Sequence, residues 1–180
     1  MKTAIEFASL VTNAHCLKYH SKLHCVGAIV FDLISCGVVC LDDRNRLCAK
    51  PADASGLTPA EQSVYGIISK SKSKTMSAII AEVYLKIKSK AIFRKLLDDG
   101  SKDLNVEEFR SEVLECGDLT EEAAVLLLLL KQSRCLNFYF SKHEQVELRA
   151  ALKRVAAMED KKIFAQIRRA ITLLDVLTWS

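Results

Sequence analysis

The sequence predicts an all-α fold in which a central buried helix is surrounded by amphipathic helices, with one small β-hairpin. Half of the residues are hydrophobic and only two are proline, so most of the chain can form regular structure. Apolar residues recur at helical spacing in several segments. A length of 180 residues is enough for one domain with its own core. We therefore expect residues 1–180 to form a single domain.

The first half of the chain predicts two helices and then the hairpin. Residues 5–17 carry apolar side chains at helical spacing. Residues 23–39 are nearly all apolar, with Asp32 as the only charged side chain, and predict the central buried helix. Gly37 lies near its end. Residues 38–41 and 46–49 predict two short strands joined by a turn at 42–45.

The rest of the chain predicts further helices. A capping box of Thr58 and Glu61, with Pro59 at the first helical position, begins a helix that ends near residue 68. A polar Ser/Lys loop at 69–74 precedes one long helix at 76–97, which Gly100 stops. Later helices are predicted at residues 104–115, from 118 through the apolar run 123–130, at 141–158 and at 161–177. Ser141 and Glu144 form a second capping box at the start of the helix 141–158. Residues 137–140 are apolar and fit either a helix or a strand.

The cysteines indicate free thiols rather than a disulfide framework. Their number is odd, and most have apolar neighbours, which suits a reducing cytosol. They are Cys16, Cys25, Cys36, Cys40, Cys48, Cys116 and Cys135. The spacing of Cys36 and Cys40 also fits a redox pair, but two buried thiols at a helix end are the preferred interpretation.

The motifs predict neither a metal site nor an enzyme. On a helix, Cys16, His20 and His24 would lie one turn apart and could bind zinc. No metal-binding spacing motif supports that site, so packing roles are expected. The acidic stretch 98–109 does not fit the register of a calcium loop. Phosphate-loop, nucleophile-elbow and dinucleotide motifs are absent from the sequence, and we predict no cofactor and no catalytic residues.

Charge is distributed unevenly along the chain. The net charge is +4, but residues 69–95 hold eight basic side chains and one acid, whereas residues 97–122 hold ten acids and two bases. On one helix, Lys86 and Lys90 would share a face, with Lys88 about 160° from each. This basic segment favours an anionic partner, such as a phosphate group.

Membrane contact, if it occurs, is expected to be peripheral. The longest apolar run, residues 123–130, is much shorter than the roughly 20 residues that cross a bilayer. The first residues do not have the pattern of a secretory signal, and neither end carries a lipidation motif. The prediction is a cytoplasmic protein that contacts membranes peripherally.

Several segments, in the same order along the chain, resemble the Golgi phosphoprotein 3 family. The main one is the helix and strand at residues 23–41, where Gly27, Asp32, Leu33, Gly37 and Leu41 fall at the positions of the family pattern. Residues 92–100 resemble the family's helix that ends in a charged pair and a glycine. Residues 123–130, 135–140 and 148–155 continue the match.

The resemblance implies an all-helical lipid-binding module. Eukaryotic members bind phosphatidylinositol 4-phosphate at the Golgi and link glycosyltransferases to coat proteins. An anionic lipid headgroup and a protein partner are therefore the implied ligands, and the Golgi face of the membrane is the implied location in a eukaryote. The family's aromatic position corresponds to Tyr19 and one of its basic positions to Lys86, whereas Val26 and Ser89 replace the arginines. With the basic pattern added, the predicted phosphate-binding residues are Lys86, Lys88, Lys90 and Tyr19.

A second hypothesis is a DNA-binding regulator of the winged-helix type. Residues 58–99 have the spacing of short helices followed by a Lys-rich recognition helix. Of the Arg, Asn and Gln side chains that read bases, the segment holds only Gln62 and Arg94, and the net charge is low for this task. Nucleic acid is therefore the less favoured partner.

Overall fold

The computed structural model describes residues 3–15, 19–50, 54–71, 75–86, 89–100, 106–115, 119–157 and 162–178. Within these ranges the chain forms ten α-helices and one two-stranded antiparallel sheet, which confirms the predicted all-α fold with a small hairpin. The elements are α1 Thr3–Asn13, α2 Tyr19–Ser35, β1 Val39–Leu41, β2 Leu47–Ala49, α3 Pro59–Lys70, α4 Met76–Lys86, α5 Ser89–Gly100, α6 Val106–Glu115, α7 Glu121–Gln132, α8 Leu136–Tyr139, α9 Lys142–Ala157 and α10 Lys162–Thr178. A short 3₁₀ turn, Ala54–Gly56, precedes α3.

Helix α2 is the central helix that the sequence predicts. Residues 23–33 are all buried, because α1, α3, α4, α5, α7 and α10 pack around it. A helix that is apolar on all sides is stable only in such surroundings. The single acid, Asp32, accepts hydrogen bonds from the backbone N–H groups of Thr3 and Ala4 at 3.0 and 2.9 Å. Asp32 thus caps the start of α1, whose first N–H groups have no partner within their own helix.

Helix α7 is a second buried helix. Thr120 caps it by accepting a hydrogen bond from the backbone N–H of Ala123 at 3.2 Å, and every residue of the predicted apolar run 123–130 is buried. His24 of α2 joins the two helices, because its Nδ1 lies 2.6 Å from the hydroxyl of Ser133 at the end of α7. The polar link between α2 and α7 therefore lies inside the core.

Gly27 lets α10 approach α2 closely. A Cβ atom at Gly27 would lie 3.3 Å from Cδ1 of Ile171, whereas a Cβ at Gly66 of α3 would meet nothing within 4 Å. We expect Gly27→Leu to lower the free energy of unfolding by about 2–3 kcal/mol through overpacking. For Gly27→Ala we expect little net change in the free energy of unfolding, because the gain in helix propensity, about 0.5–1 kcal/mol, offsets the mild crowding. Chemical denaturation measures the free energy of unfolding of both variants.

Gly66→Ala and Gly66→Leu are the matched controls for Gly27. The alanine variant is expected to stabilise by about 0.5–1 kcal/mol, because it gains helix propensity without crowding. Equal stability of Gly27→Leu and Gly66→Leu would contradict the close approach of α10.

The hairpin β1–β2 follows α2 directly. Gly37, with φ +79°, adopts the left-handed conformation that ends α2. The strands pair with Val39 opposite Ala49, Cys40 opposite Cys48 and Leu41 opposite Leu47. A bridge from Arg46 to Thr75 ties the hairpin to the start of α4. The predicted strands and turn are confirmed.

Three further details bear on the sequence predictions. The sequence predicts a single helix at 76–97, whereas the structure has two helices there, α4 and α5. Residues 87 and 88, between them, lie outside the described residues. Both predicted capping boxes form, at Thr58 with Glu61 and at Ser141 with Glu144. The ambiguous residues 137–140 contribute to the short helix α8. None of the helices that the structure describes is long and apolar enough to span a bilayer.

Candidate functional site

The structure does not test the phosphate site that the sequence predicts. Tyr19, Lys86 and Lys90 lie at helix ends, in α2, α4 and α5, and their side chains are outside the described part of the structure. Lys88 lies outside the described residues altogether. Whether these four residues bind a phosphate, and whether Lys86 and Lys90 share one face, therefore stays a prediction. The DNA-binding hypothesis depends on the same segment and stays a prediction too.

The histidine and cysteine cluster divides between the core and the surface. His24 is fully buried, hydrogen-bonded to Ser133 and packed edge-on against the ring of Phe7, with ring centroids 6.4 Å apart. His15 is exposed just after α1. Cys16 and the side chain of His20 lie outside the described residues. In the part of the chain that the structure describes, no group of three or more metal-binding side chains comes together.

The cysteine burial differs in part from the sequence prediction. Cys25 and Cys135 are buried, as predicted, and burial raises the pKa of the Cys25 thiol. Cys36 is exposed, whereas Cys40 and Cys48 are half-buried. The interpretation of Cys36 and Cys40 as two buried thiols is therefore wrong. The physical reason is that α2 ends at Ser35 and Cys40 lies on the outer face of the hairpin.

A recess formed by three separate parts of the chain is the best candidate site. The hairpin turn contributes Arg44 and Asn45, the start of α4 contributes residues 75–77, and α10 contributes one face. The α10 residues are Gln166, Arg169, Ala170 and Leu173, whose spacing places them on the same side of a helix. The recess has a volume of about 260 Å³, which suits one small polar group better than a drug-sized molecule.

Asp42 organises the turn that presents Arg44. One oxygen of its carboxylate accepts the backbone N–H groups of Arg44 and Arg46 at 2.9 and 2.8 Å, and the other accepts Nε of Arg46 at 2.8 Å. The hydrogen bond from the Arg46 backbone, together with the other bonds, lowers the pKa of the Asp42 carboxyl. Asn45 completes the turn with φ +55°. Asp42 thus binds the side chain of Arg46, whereas the side chain of Arg44 lines the recess.

The recess is cationic. Arg44 and Arg169 are its charged side chains, and none of the described residues that line it is acidic. Thr75 and Ser77 add hydroxyl groups, and Met76 and Leu173 form an apolar edge. Arginine guanidinium groups bind phosphate and carboxylate oxygens through paired hydrogen bonds. The arrangement therefore supplies groups that bind an anion, and no described lining residue could act as a general base.

A larger cleft adjoins the recess. It has a volume of about 710 Å³ and shares Asn45 and Gln166 with the recess. Its charged lining residues are two acids, Asp42 and Asp43, and two bases, Lys50 and Lys162. These charges offset one another, whereas the charged residues that line the recess are both arginines.

Comparison with known proteins adds no relative. No protein-family model, curated protein or solved structure matches this chain. The function must be argued from the geometry of the chain itself.

Sequence reasoning missed both arginines of the recess. Arg44 lies in a predicted turn and Arg169 in a predicted helix, 125 positions apart in the printed sequence. One signal was present: Asp42 and Asp43 precede Arg44 in a turn where an Asp side chain typically binds nearby backbone N–H groups. That signal locates the turn, but it does not show that the turn lies beside α10.

Proposed function

We propose that the protein is a non-catalytic module that binds an anionic, phosphorylated lipid headgroup at a membrane surface. The observation that carries the proposal is the pairing of Arg44 and Arg169 in one recess that has no described acid. The resemblance of residues 23–41 to the Golgi phosphoprotein 3 family supports the same ligand class. Phosphatidylinositol 4-phosphate is the lipid that we expect to bind best.

The surroundings of the recess suit a membrane interface. Leu173 borders the recess and is 49% exposed, so it can contact acyl chains while the arginines hold the phosphate. Arg168, the neighbour of Arg169 in α10, is also exposed and adds positive charge. Basic side chains close to an anionic bilayer each contribute about 1 kcal/mol to binding.

The test is co-sedimentation of the full chain with phosphatidylcholine vesicles that carry phosphatidylinositol 4-phosphate, phosphatidylserine or no anionic lipid. We expect retention in the order phosphoinositide, phosphatidylserine, neutral, and a decrease as salt rises. Replacing Arg44 and Arg169 together with alanine is expected to weaken phosphoinositide binding about 30-fold, the equivalent of about 2 kcal/mol.

A matched pair of variants separates the recess from general surface charge. Arg149 and Arg154 are exposed on α9 and do not line the recess, so Arg149→Ala with Arg154→Ala changes the charge equally and should retain most of the binding. Lys86→Glu with Lys90→Glu tests the site predicted from the sequence. If that pair abolishes binding while Arg44→Ala with Arg169→Ala has no effect, the recess is the wrong site.

Inorganic phosphate distinguishes a lipid from a soluble ligand. Added as a competitor, it should displace the protein from phosphoinositide vesicles only weakly, because Leu173 and the neighbouring basic side chains contact the bilayer but not the free ion. If phosphate binds the recess while none of the vesicles retains the protein, the membrane part of the proposal is wrong.

A further inference from the structure

Cys40 and Cys48 are directly opposite each other in the hairpin. The register pairs their Cα atoms. The N–H of Asp42 donates to the carbonyl of Arg46, and the N–H of Lys50 donates to the carbonyl of Val38. These two pairs lie two residues from Cys40 and Cys48 on either side, and therefore have the same phase of the ladder. The alternation of an antiparallel ladder therefore makes Cys40 and Cys48 a hydrogen-bonded pair, with Cα atoms about 5.5 Å apart. That separation is within the range of a disulfide bond.

The two thiols lie on the outer face of the hairpin. Val39 and Leu47, on the other face, are buried in the core, whereas Cys40 and Cys48 are half-buried. Successive side chains of a strand point to opposite faces, so directly opposite residues share one face. Sγ of Cys40 already lies 3.6 Å from the carbonyl oxygen of Cys48. The thiols are therefore close together and accessible from solvent.

The pair has cationic neighbours. Arg46 and Lys50 each lie two residues from Cys48, which places them on the same face of the strand. Both are exposed, and Lys50 lines the large cleft together with Cys40. Asp42 pairs with Arg46 and the charges that line the cleft offset one another, so this surface does not repel glutathione disulfide, which is anionic at neutral pH. The buried thiols of Cys25 and Cys135 lack this access.

We propose that Cys40 and Cys48 form a reversible disulfide by exchange with glutathione disulfide. The thiolate of Cys48 attacks one sulfur of glutathione disulfide, the glutathione S–S bond breaks, and one glutathione leaves as a thiolate that takes up the proton from Cys48. The thiolate of Cys40 then attacks the sulfur of Cys48, which releases the second glutathione with the proton from Cys40. The protein loses two protons and two electrons, and glutathione disulfide becomes two molecules of glutathione.

The disulfide would regulate the proposed anion site. It draws the two Cβ atoms to about 3.8 Å, which changes the twist of strands whose turn carries Arg44 and Asn45 of the recess. This effect on binding rests on the proposed function, whereas formation of the disulfide does not. The two can therefore fail separately.

Intact-mass spectrometry of the reduced full chain, incubated with glutathione disulfide under native conditions, tests the exchange. We expect a loss of about 2 Da for the two hydrogens. Trypsin cleaves after Arg44 and Arg46, between the two cysteines, so the disulfide keeps the two peptides linked until a reductant is added. Recovery of those peptides unlinked, or linked to other cysteines, overturns the proposal.

Single substitutions identify the partners. Cys40→Ser is expected to stop the reaction at the mixed disulfide on Cys48, a gain of about 305 Da from one bound glutathione. Cys36→Ser is the matched control, because Cys36 is exposed and near in sequence, and it should still lose about 2 Da. If Cys36→Ser blocks the loss while Cys40→Ser does not, Cys40 is not a member of the pair.

Discussion

Replacing Asp32 with alanine is expected to lower the free energy of unfolding by about 2–4 kcal/mol near pH 5. Asp32 is only 8% exposed, and its carboxyl group accepts hydrogen bonds from the N–H groups of Thr3 and Ala4. The side chain of Thr3 also hydrogen-bonds to it. Alanine leaves those donors without their acceptor at the start of α1, and each buried donor without a partner costs about 1–3 kcal/mol. Urea denaturation followed by circular dichroism measures the loss.

The same residue makes stability depend on pH. Burial raises the pKa of Asp32 from 3.8 to about 6, against the hydrogen bonds from Ala4 and Thr3, which lower it. Between these values the folded chain binds more protons than the unfolded chain, so the free energy of unfolding falls as pH rises. The contribution is complete below the unfolded pKa and is lost as pH rises through about 6. Between pH 5 and 7.5 the expected loss is about 1–2 kcal/mol.

Asp32→Asn is the control that isolates this titration. Asparagine has nearly the same shape and retains one acceptor oxygen, but it does not ionise in this range. The difference in stability between the wild-type protein and Asp32→Asn should therefore shift by about 1–2 kcal/mol between pH 5 and 7.5, in favour of the variant at the higher pH. Parallel stability curves for the two proteins would show that Asp32 does not titrate with a raised pKa.

His24→Ala is expected to destabilise the fold by about 3–4 kcal/mol. The imidazole ring is fully buried between α1 and α7, against the ring of Phe7 and the hydroxyl of Ser133. Removing it leaves a cavity and also takes away the partner of the Ser133 hydroxyl. Thermal and chemical denaturation should both show the loss, and vesicle binding of the folded fraction should be unchanged.

A double-mutant cycle separates the hydrogen bond from packing. His24→Leu restores most of the volume but leaves the Ser133 hydroxyl without the imidazole. Adding Ser133→Ala should recover stability, because replacing both partners by apolar groups is nearly neutral. A coupling energy of about 0.5–3 kcal/mol is expected for a pair in direct contact. Strict additivity of the two changes would contradict a stabilising bond between α2 and α7.

The elements that the sequence predicts best are those with local signals. The capping boxes at Thr58 and Ser141 depend on residues three positions apart, and both form. The apolar run 123–130 has no polar face, so it could only be buried. The role of Asp32 is different, because it caps a helix 28 and 29 residues away. No local pattern shows which distant N–H groups a buried acid will accept.

The candidate site was harder to predict than the fold for the same reason. Sequence reasoning weighted the Lys-rich segment, where the charges are dense and adjacent. In the recess, tertiary packing brings the charges together. The bridge between Arg46 and Thr75 holds the hairpin turn against α4. The contact of α4 with α10 then brings Arg169 to the same recess as Arg44. Each arginine is an ordinary surface residue when its own segment is considered alone.

The recess is built from three segments that are far apart in the sequence, and this affects how ligand binding changes stability. Arg44, Thr75 and Arg169 meet only when the hairpin, α4 and α10 are all in place, so an anion that contacts all three binds the folded chain and not the unfolded one. Its concentration then sets the melting temperature of the protein, with about 2.7 kcal/mol of added stability at a concentration one hundred times Kd. If the proposed function is correct, a chain released from an anionic surface unfolds more readily than the same chain bound to it.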